Sequence, residues 1–170
     1  MIDASPRPFY LAIALICGGL LGFGYYLQFG QGLEPCPLCL FQRVAYLALF
    51  ATAVMAAVHA PAGRWQLLYD ALVGAFAAAG AGTAGRQVWL QHLPPGRVPE
   101  CGPGLDYLLD VFPLGEALSL VFSGSGECAE VDWTFLSLSI AEWSLVWFLV
   151  LAATAVIHAV NGRRTPQTRA

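Results

Sequence analysis

Apolar residues run along this chain in four blocks separated by polar segments: about Phe9 to Phe29, Leu40 to Ala60, Trp65 to Gln91 and Ala141 to Val160. Each is long enough to cross the hydrocarbon core of a bilayer as a helix, which takes about 20 residues. The pattern predicts an all-α membrane protein, a four-transmembrane-helix bundle forming a single domain over residues 1–170. Two loops, about 30–39 and 92–140, join the spans on one side. The first block is too long for a signal-peptide core, and no Ala-x-Ala pattern follows it in Gly30-Gln31-Gly32-Leu33, so it is read as a retained span.

Finer patterning adds detail to two regions. The third block is crowded with small residues, including a Gly74/Ala78/Gly82 register, and the first offers Gly18 and Gly22. Small residues at such spacing let helix backbones approach closely in lipid. In the long loop, Leu105–Phe112 and Leu114–Phe122 mix apolar and acidic residues at roughly helical spacing. They are expected to form two short surface helices parted by Pro113. Ser123-Gly124-Ser125-Gly126 then makes a hinge before Cys128.

Composition agrees with burial in lipid. Apolar residues make up 58% of the chain and charged residues 11%, a balance that excludes an ordinary soluble globule of this size. Every basic residue is an arginine. Arg7, Arg64, Arg163, Arg164 and Arg169 flank the spans on one side, which is therefore expected to be cytoplasmic and to hold both termini. The two loops then face outward, and the longer one is strongly acidic. No nucleic-acid partner is expected.

The cysteines give this topology a chemistry. Cys36, Cys39, Cys101 and Cys128 fall in or at the edge of the two external loops, where a bacterial periplasm lets disulfides persist. Cys17, inside the first span, reads as a small apolar residue. Cys36 and Cys39 are two residues apart at the boundary between a polar turn and an apolar run, so they can form a reversible disulfide. Cys39 lies where a helix begins, so backbone N–H groups and the helix dipole are expected to stabilise its thiolate. Arg43 follows on the same face, at a position where a cation opposes the dipole and serves the helix poorly. A cation at the bilayer edge is a candidate functional group; snorkelling to the phosphate layer is the alternative, and the spacing from Cys39 weighs against it. Arg86 is open to the same two readings.

Four thiolates could hold zinc, but 26 residues separate Cys101 from Cys128, far from a zinc-ligand spacing, and no metal is expected. The three histidines, His59, His92 and His158, all sit near span ends rather than facing one another inside the bundle, which disfavours haem.

The run Cys36-Pro37-Leu38-Cys39-Leu40-Phe41-Gln42-Arg43, then Cys101-Gly102-Pro103, then Gly126-Glu127-Cys128-Ala129-Glu130 with Trp133-Thr134-Phe135-Leu136, resembles the disulfide bond formation protein B (DsbB) family. The resemblance extends from the first span through the fourth. It implies a protein-disulfide:quinone oxidoreductase of the bacterial inner membrane that reoxidises a periplasmic DsbA-like partner and uses ubiquinone or menaquinone. By that resemblance, Cys101 forms the mixed disulfide with the partner and Cys128 is its disulfide mate. Cys36 and Cys39 match the membrane-proximal pair, with Cys39 nearest the quinone, and Arg43 matches the arginine that supports quinone and thiolate. One departure stands at Gln87, where several members have a histidine. A glutamine can donate a hydrogen bond but cannot carry a proton, and His92 is five residues away.

Two other readings compete. A membrane-anchored binding or assembly factor would use its loop cysteines only as static disulfides. The vitamin K epoxide reductase type is also a four-helix quinone enzyme, but it places its Cys-x-x-Cys in the last span, whereas here the pair precedes the second.

Overall fold

The computed structural model describes residues 6–94, 97, 113, 115 and 126–164. Four long helices dominate it: α1 (Arg7–Gln31), α2 (Pro37–His59), α3 (Arg64–Gln91) and α4 (Ile140–Arg164). All four are long and apolar enough to cross a membrane, and the chain is a multi-pass membrane protein. A 3-10 turn at Gly126–Cys128 and a two-stranded antiparallel hairpin, β1 (Thr134–Phe135) with β2 (Leu138–Ser139), precede α4. The expected surface helices fall outside the described residues, as do Cys101 and all of the Ser123–Gly126 hinge but Gly126.

Local chemistry sets the helix ends near the site. Gly32 adopts the left-handed conformation (φ 71°), which lets the Gly32 and Leu33 N–H groups reach back to the Leu27 carbonyl and close α1. Cys36 precedes a proline, which excludes it from the helical region, and it is extended at φ −64°, ψ 162°. Pro37 supplies the first helical residue at a position where its missing N–H costs nothing. The Pro-Cys-Pro sequence therefore starts α2 three residues ahead of the apolar block and brings Cys39 into its first turn. At the start of α4, Ser139 and Glu142 form a reciprocal capping box. The Ser139 N–H donates to Glu142 Oε2 at 2.7 Å, and the Glu142 N–H donates to Ser139 Oγ at 3.2 Å.

The core runs along the bundle axis. Ile13, Ala14, Cys17 and Leu21 from α1 meet Tyr46, Leu49 and Ala53 from α2, Val73, Ala77 and Ala84 from α3, and Phe148, Leu151 and Ala155 from α4. Leu15, Phe29, Val58 and Ile157 point outward, as a lipid-facing surface requires. The small residues of α3 work in a different register from the Gly74/Ala78/Gly82 expectation. Gly74 and Gly82 have open space where a side chain would be, whereas a Cβ on Gly80 would lie 2.3 Å from the Phe148 ring. Gly80 therefore admits Phe148, which in turn stacks on Tyr46 at 4.1 Å between ring centroids. A helix this rich in glycine and alanine offers small residues on every face, and only the partner helix selects one.

A polar cluster ties the other end of the bundle. Asp70 of α3 is 2% exposed; it accepts a 2.8 Å hydrogen bond from the Tyr10 hydroxyl of α1 and lies 3.0 Å from His158 Nδ1 of α4. The His158 ring stacks on Phe9 at 3.9 Å.

Candidate functional site

At the end of the bundle away from Asp70, α2 and α3 bring four polar side chains together. Cys36, at the N-cap of α2, accepts the Cys39 backbone N–H at 3.3 Å, so the free amide of the first turn serves Cys36 rather than the Cys39 thiolate, as the sequence had suggested. The Cys36 and Cys39 sulfurs lie 2.7 Å apart. Gln87, one turn from the end of α3, reaches both sulfurs, with its Nε2 3.3 Å from each. Its Oε1 accepts from Gln42 Nε2 at 2.7 Å. Both glutamines are 4% exposed, which makes each a fully engaged polar group at membrane depth.

Cys128 completes the cluster from the other loop. It is wholly buried against Cys36, Leu38 and Leu90, held by the 3-10 turn whose Ala129 N–H bonds the Gly126 carbonyl at 3.0 Å. Its side chain is hydrogen-bonded to Cys36. That contact, then the one with Cys39, then burial push the Cys36 thiol well above the ordinary range for cysteine. Cys17 packs in the apolar core, away from these sulfurs. Three of the four predicted cysteines are thus together, and Cys36 is the one adjoining the second loop; Cys101 lies outside the described residues.

Arg43 is turned toward α1. Its guanidinium donates to the Gln28 side-chain oxygen and, at 3.2 Å, to the Gly24 carbonyl, and it lies over the Tyr25 ring 5.1 Å from the centroid. These contacts hold it inside the protein instead of letting it snorkel freely. Arg86 instead stacks on exposed Trp89 at 4.2 Å. His92 bonds the Val88 carbonyl at the surface.

A cavity of about 540 Å³ opens beside these groups, between α1, α2, α4 and the Glu127–Phe135 segment. Cys36, Cys39, Gln42, Arg43 and Gln87 form its polar side, while Phe23, Tyr46, Trp133, Phe135, Trp143 and Trp147 give it broad aromatic walls. Such a pocket, apolar with a few convergent polar groups, suits a flat organic ligand. From the sequence, Gln87 stands out only as a hydrogen-bond donor where similar chains have a histidine, and Gln42 does not stand out at all. A buried glutamine in each of two neighbouring spans was the available signal, but pairing them required the helix register.

The family model for disulfide bond formation protein DsbB matches residues 6–158. A protein described as disulfide bond formation protein B from Aromatoleum aromaticum is 48% identical over 159 residues, covering 94% of this chain and 95% of that one. Proteins of the same description from Azoarcus sp. (47% over 163 residues, 96% and 97% covered) and Methylococcus capsulatus (48% over 160 residues, 94% and 98% covered) are similarly close. With four membrane-capable helices, a Cys36–Cys39 pair at the membrane edge and Cys128 folded onto it, the chain belongs to the disulfide bond formation protein DsbB family.

Proposed function

We propose that this protein oxidises a soluble periplasmic dithiol protein of the DsbA type and delivers the electrons to a membrane quinone. The observation that carries the reading is the cavity, which has Cys39, Arg43 and the two glutamines on one side and aromatic rings on the other. Its volume and flat walls fit a quinone ring. Arg43 and the second N–H of Gln42 are the donors that would hold the ring's oxygens, beside Trp143 and Trp147. A bound quinone, ubiquinone or menaquinone, supplies a two-electron acceptor there.

The chain's own residues account for the thiol steps. A partner thiolate attacks Cys101 of a Cys101–Cys128 disulfide, forming a mixed disulfide and releasing Cys128 as a thiolate. The partner's second thiolate then attacks its own sulfur in that bond, leaving the partner oxidised and Cys101 reduced. Cys128, lying against Cys36, attacks the Cys36 sulfur of a Cys36–Cys39 disulfide and displaces Cys39 as a thiolate. Cys101 attacks Cys128, restoring the loop disulfide and freeing Cys36. Two electrons then reside on Cys36 and Cys39, at the cavity wall. The arginine distribution supports an orientation with both termini cytoplasmic, and membership of the family supports a place in the inner membrane.

The test is oxidation of a reduced DsbA-type protein by the purified protein in lipid nanodiscs, with and without a short-chain quinone. Quinone-dependent oxidation is expected, with at least a hundredfold loss for Cys39→Ser. Oxidation that needs no quinone, or that survives Cys39→Ser, refutes the reading.

A further inference from the structure

We infer that Gln87 and Gln42 form a positioning pair that sets the reduction potential of the Cys36–Cys39 couple: Gln87 donates its amide N–H groups to both sulfurs, and Gln42 fixes which way that amide faces. The inference deepens the redox reading of this pair and rests on it.

The geometry gives each glutamine a separate task. Gln87 Nε2 carries two N–H bonds, and both sulfurs lie 3.3 Å away. An amide side chain can rotate by half a turn and exchange its N and O; the oxygen, which now stands 3.6 Å from Cys39 Sγ alone, would then face both sulfurs as an acceptor in place of the two N–H groups. Gln42 opposes that rotation, because its Nε2 donates to Gln87 Oε1 at 2.7 Å. With Gln87 reversed, two N–H donors would confront each other. Both side chains are almost fully buried, so water cannot substitute for either contact.

The donors act unequally on the two redox states. A thiolate accepts a hydrogen bond far more strongly than a disulfide sulfur, since bonds to charged groups are roughly twice as strong as neutral ones. Two N–H bonds aimed at the pair therefore favour the reduced form and make the couple more oxidising. An amide does this without itself titrating, unlike an imidazole.

The couple is isolated in full-length protein in nanodiscs by Cys101→Ser and Cys128→Ser, with Cys17 retained. The dithiol gives two electrons and two protons to one glutathione disulfide, yielding two glutathiones and the Cys36–Cys39 disulfide. The equilibrium is read by maleimide labelling after denaturation. Gln87→Met, close in size and without a donor, is expected to shift the equilibrium about tenfold toward the disulfide, or about 30 mV. Gln42→Met is expected to shift it threefold or more in the same direction, and to add nothing in the Gln87→Met background. An unchanged equilibrium in Gln87→Met overturns the inference, and so does an additive Gln42→Met effect, which would mean that Gln42 does not act through Gln87. Thermal unfolding of each variant separates a lost fold from a changed potential. The measurement uses neither quinone nor partner protein, so absence of quinone-dependent oxidation would refute the proposed function while leaving this result to stand or fall separately.

Discussion

Cys36 and Cys39 differ by three positions, yet their surroundings assign them different work. Cys36 caps a helix, adjoins Cys128 and has its thiol pushed upward by that contact first, then by Cys39 and by burial. A raised value means that Cys36 holds its proton to higher pH in the folded protein. Cys128→Ala removes the largest contribution, so in reduced protein the midpoint for Cys36 alkylation by iodoacetamide should move to lower pH, as peptide mapping can follow; a midpoint that stays or rises would contradict the contact. Arg43 makes a second prediction at this scale. Its guanidinium lines the cavity and is held by α1, distant in sequence from the loop cysteines. Arg43→Ala should therefore raise the apparent KM for quinone about tenfold or more while changing the rate of mixed-disulfide formation with the dithiol partner less than twofold. Unaltered quinone affinity with slowed partner oxidation would remove Arg43 from the cavity's function.

Among the elements, α3 and α4 share the most extensive contact, and Gly80 permits it. A methyl group there would meet Phe148 at 2.3 Å, well inside any tolerated contact. Gly80→Ala should destabilise the protein by about 2 kcal/mol, as overpacking in a dense core does. Differential scanning fluorimetry in detergent reads this as a lower midpoint, and Phe148→Leu in the same chain should recover part of the loss. Without that recovery the damage would lie elsewhere than the α3–α4 contact. The α4 capping box shows what element-level sequence could have offered. Ser139-Ile140-Ala141-Glu142 is a Ser-x-x-Glu signature preceding an apolar run, and it marks the helix start within one residue of the apolar block's edge.

Across the whole molecule, two polar clusters stand at opposite ends of an apolar bundle. The Cys36–Cys39–Gln87 group joins α2 to α3 near the loops, while Asp70 joins α1, α3 and α4 through Tyr10 and His158 at the other end. Asp70→Leu leaves the Tyr10 hydroxyl and the His158 ring without their shared acceptor. It should cost about 1 kcal/mol of stability in detergent, since the buried Tyr10 hydroxyl keeps only a 3.4 Å contact with the Gln66 carbonyl. The same variant should leave the equilibrium of the Cys36–Cys39 couple within twofold of the unmodified protein, because the two clusters share no residue. A large shift would mean that the bundle transmits strain between its ends.

The sequence by itself determined the four spans, the side on which the arginines gather, and the cysteines available for exchange. Those features follow from hydropathy, charge and residue identity, which act locally and can be read in order along the chain. Even the extended Cys36 is local, since proline restricts its predecessor whatever the fold. The tertiary structure alone decided which residues meet. Gln42 and Gln87 are 45 positions apart and become partners only because α2 and α3 pack in one register. Gly80, and not Gly74 or Gly82, became the packing glycine because Phe148 projects from α4 at that level. Cys128 reached Cys36 through a turn that no periodicity announces. Long-range packing chooses among faces that the sequence leaves equivalent, and the polar groups it pairs are those that would cost most if buried alone.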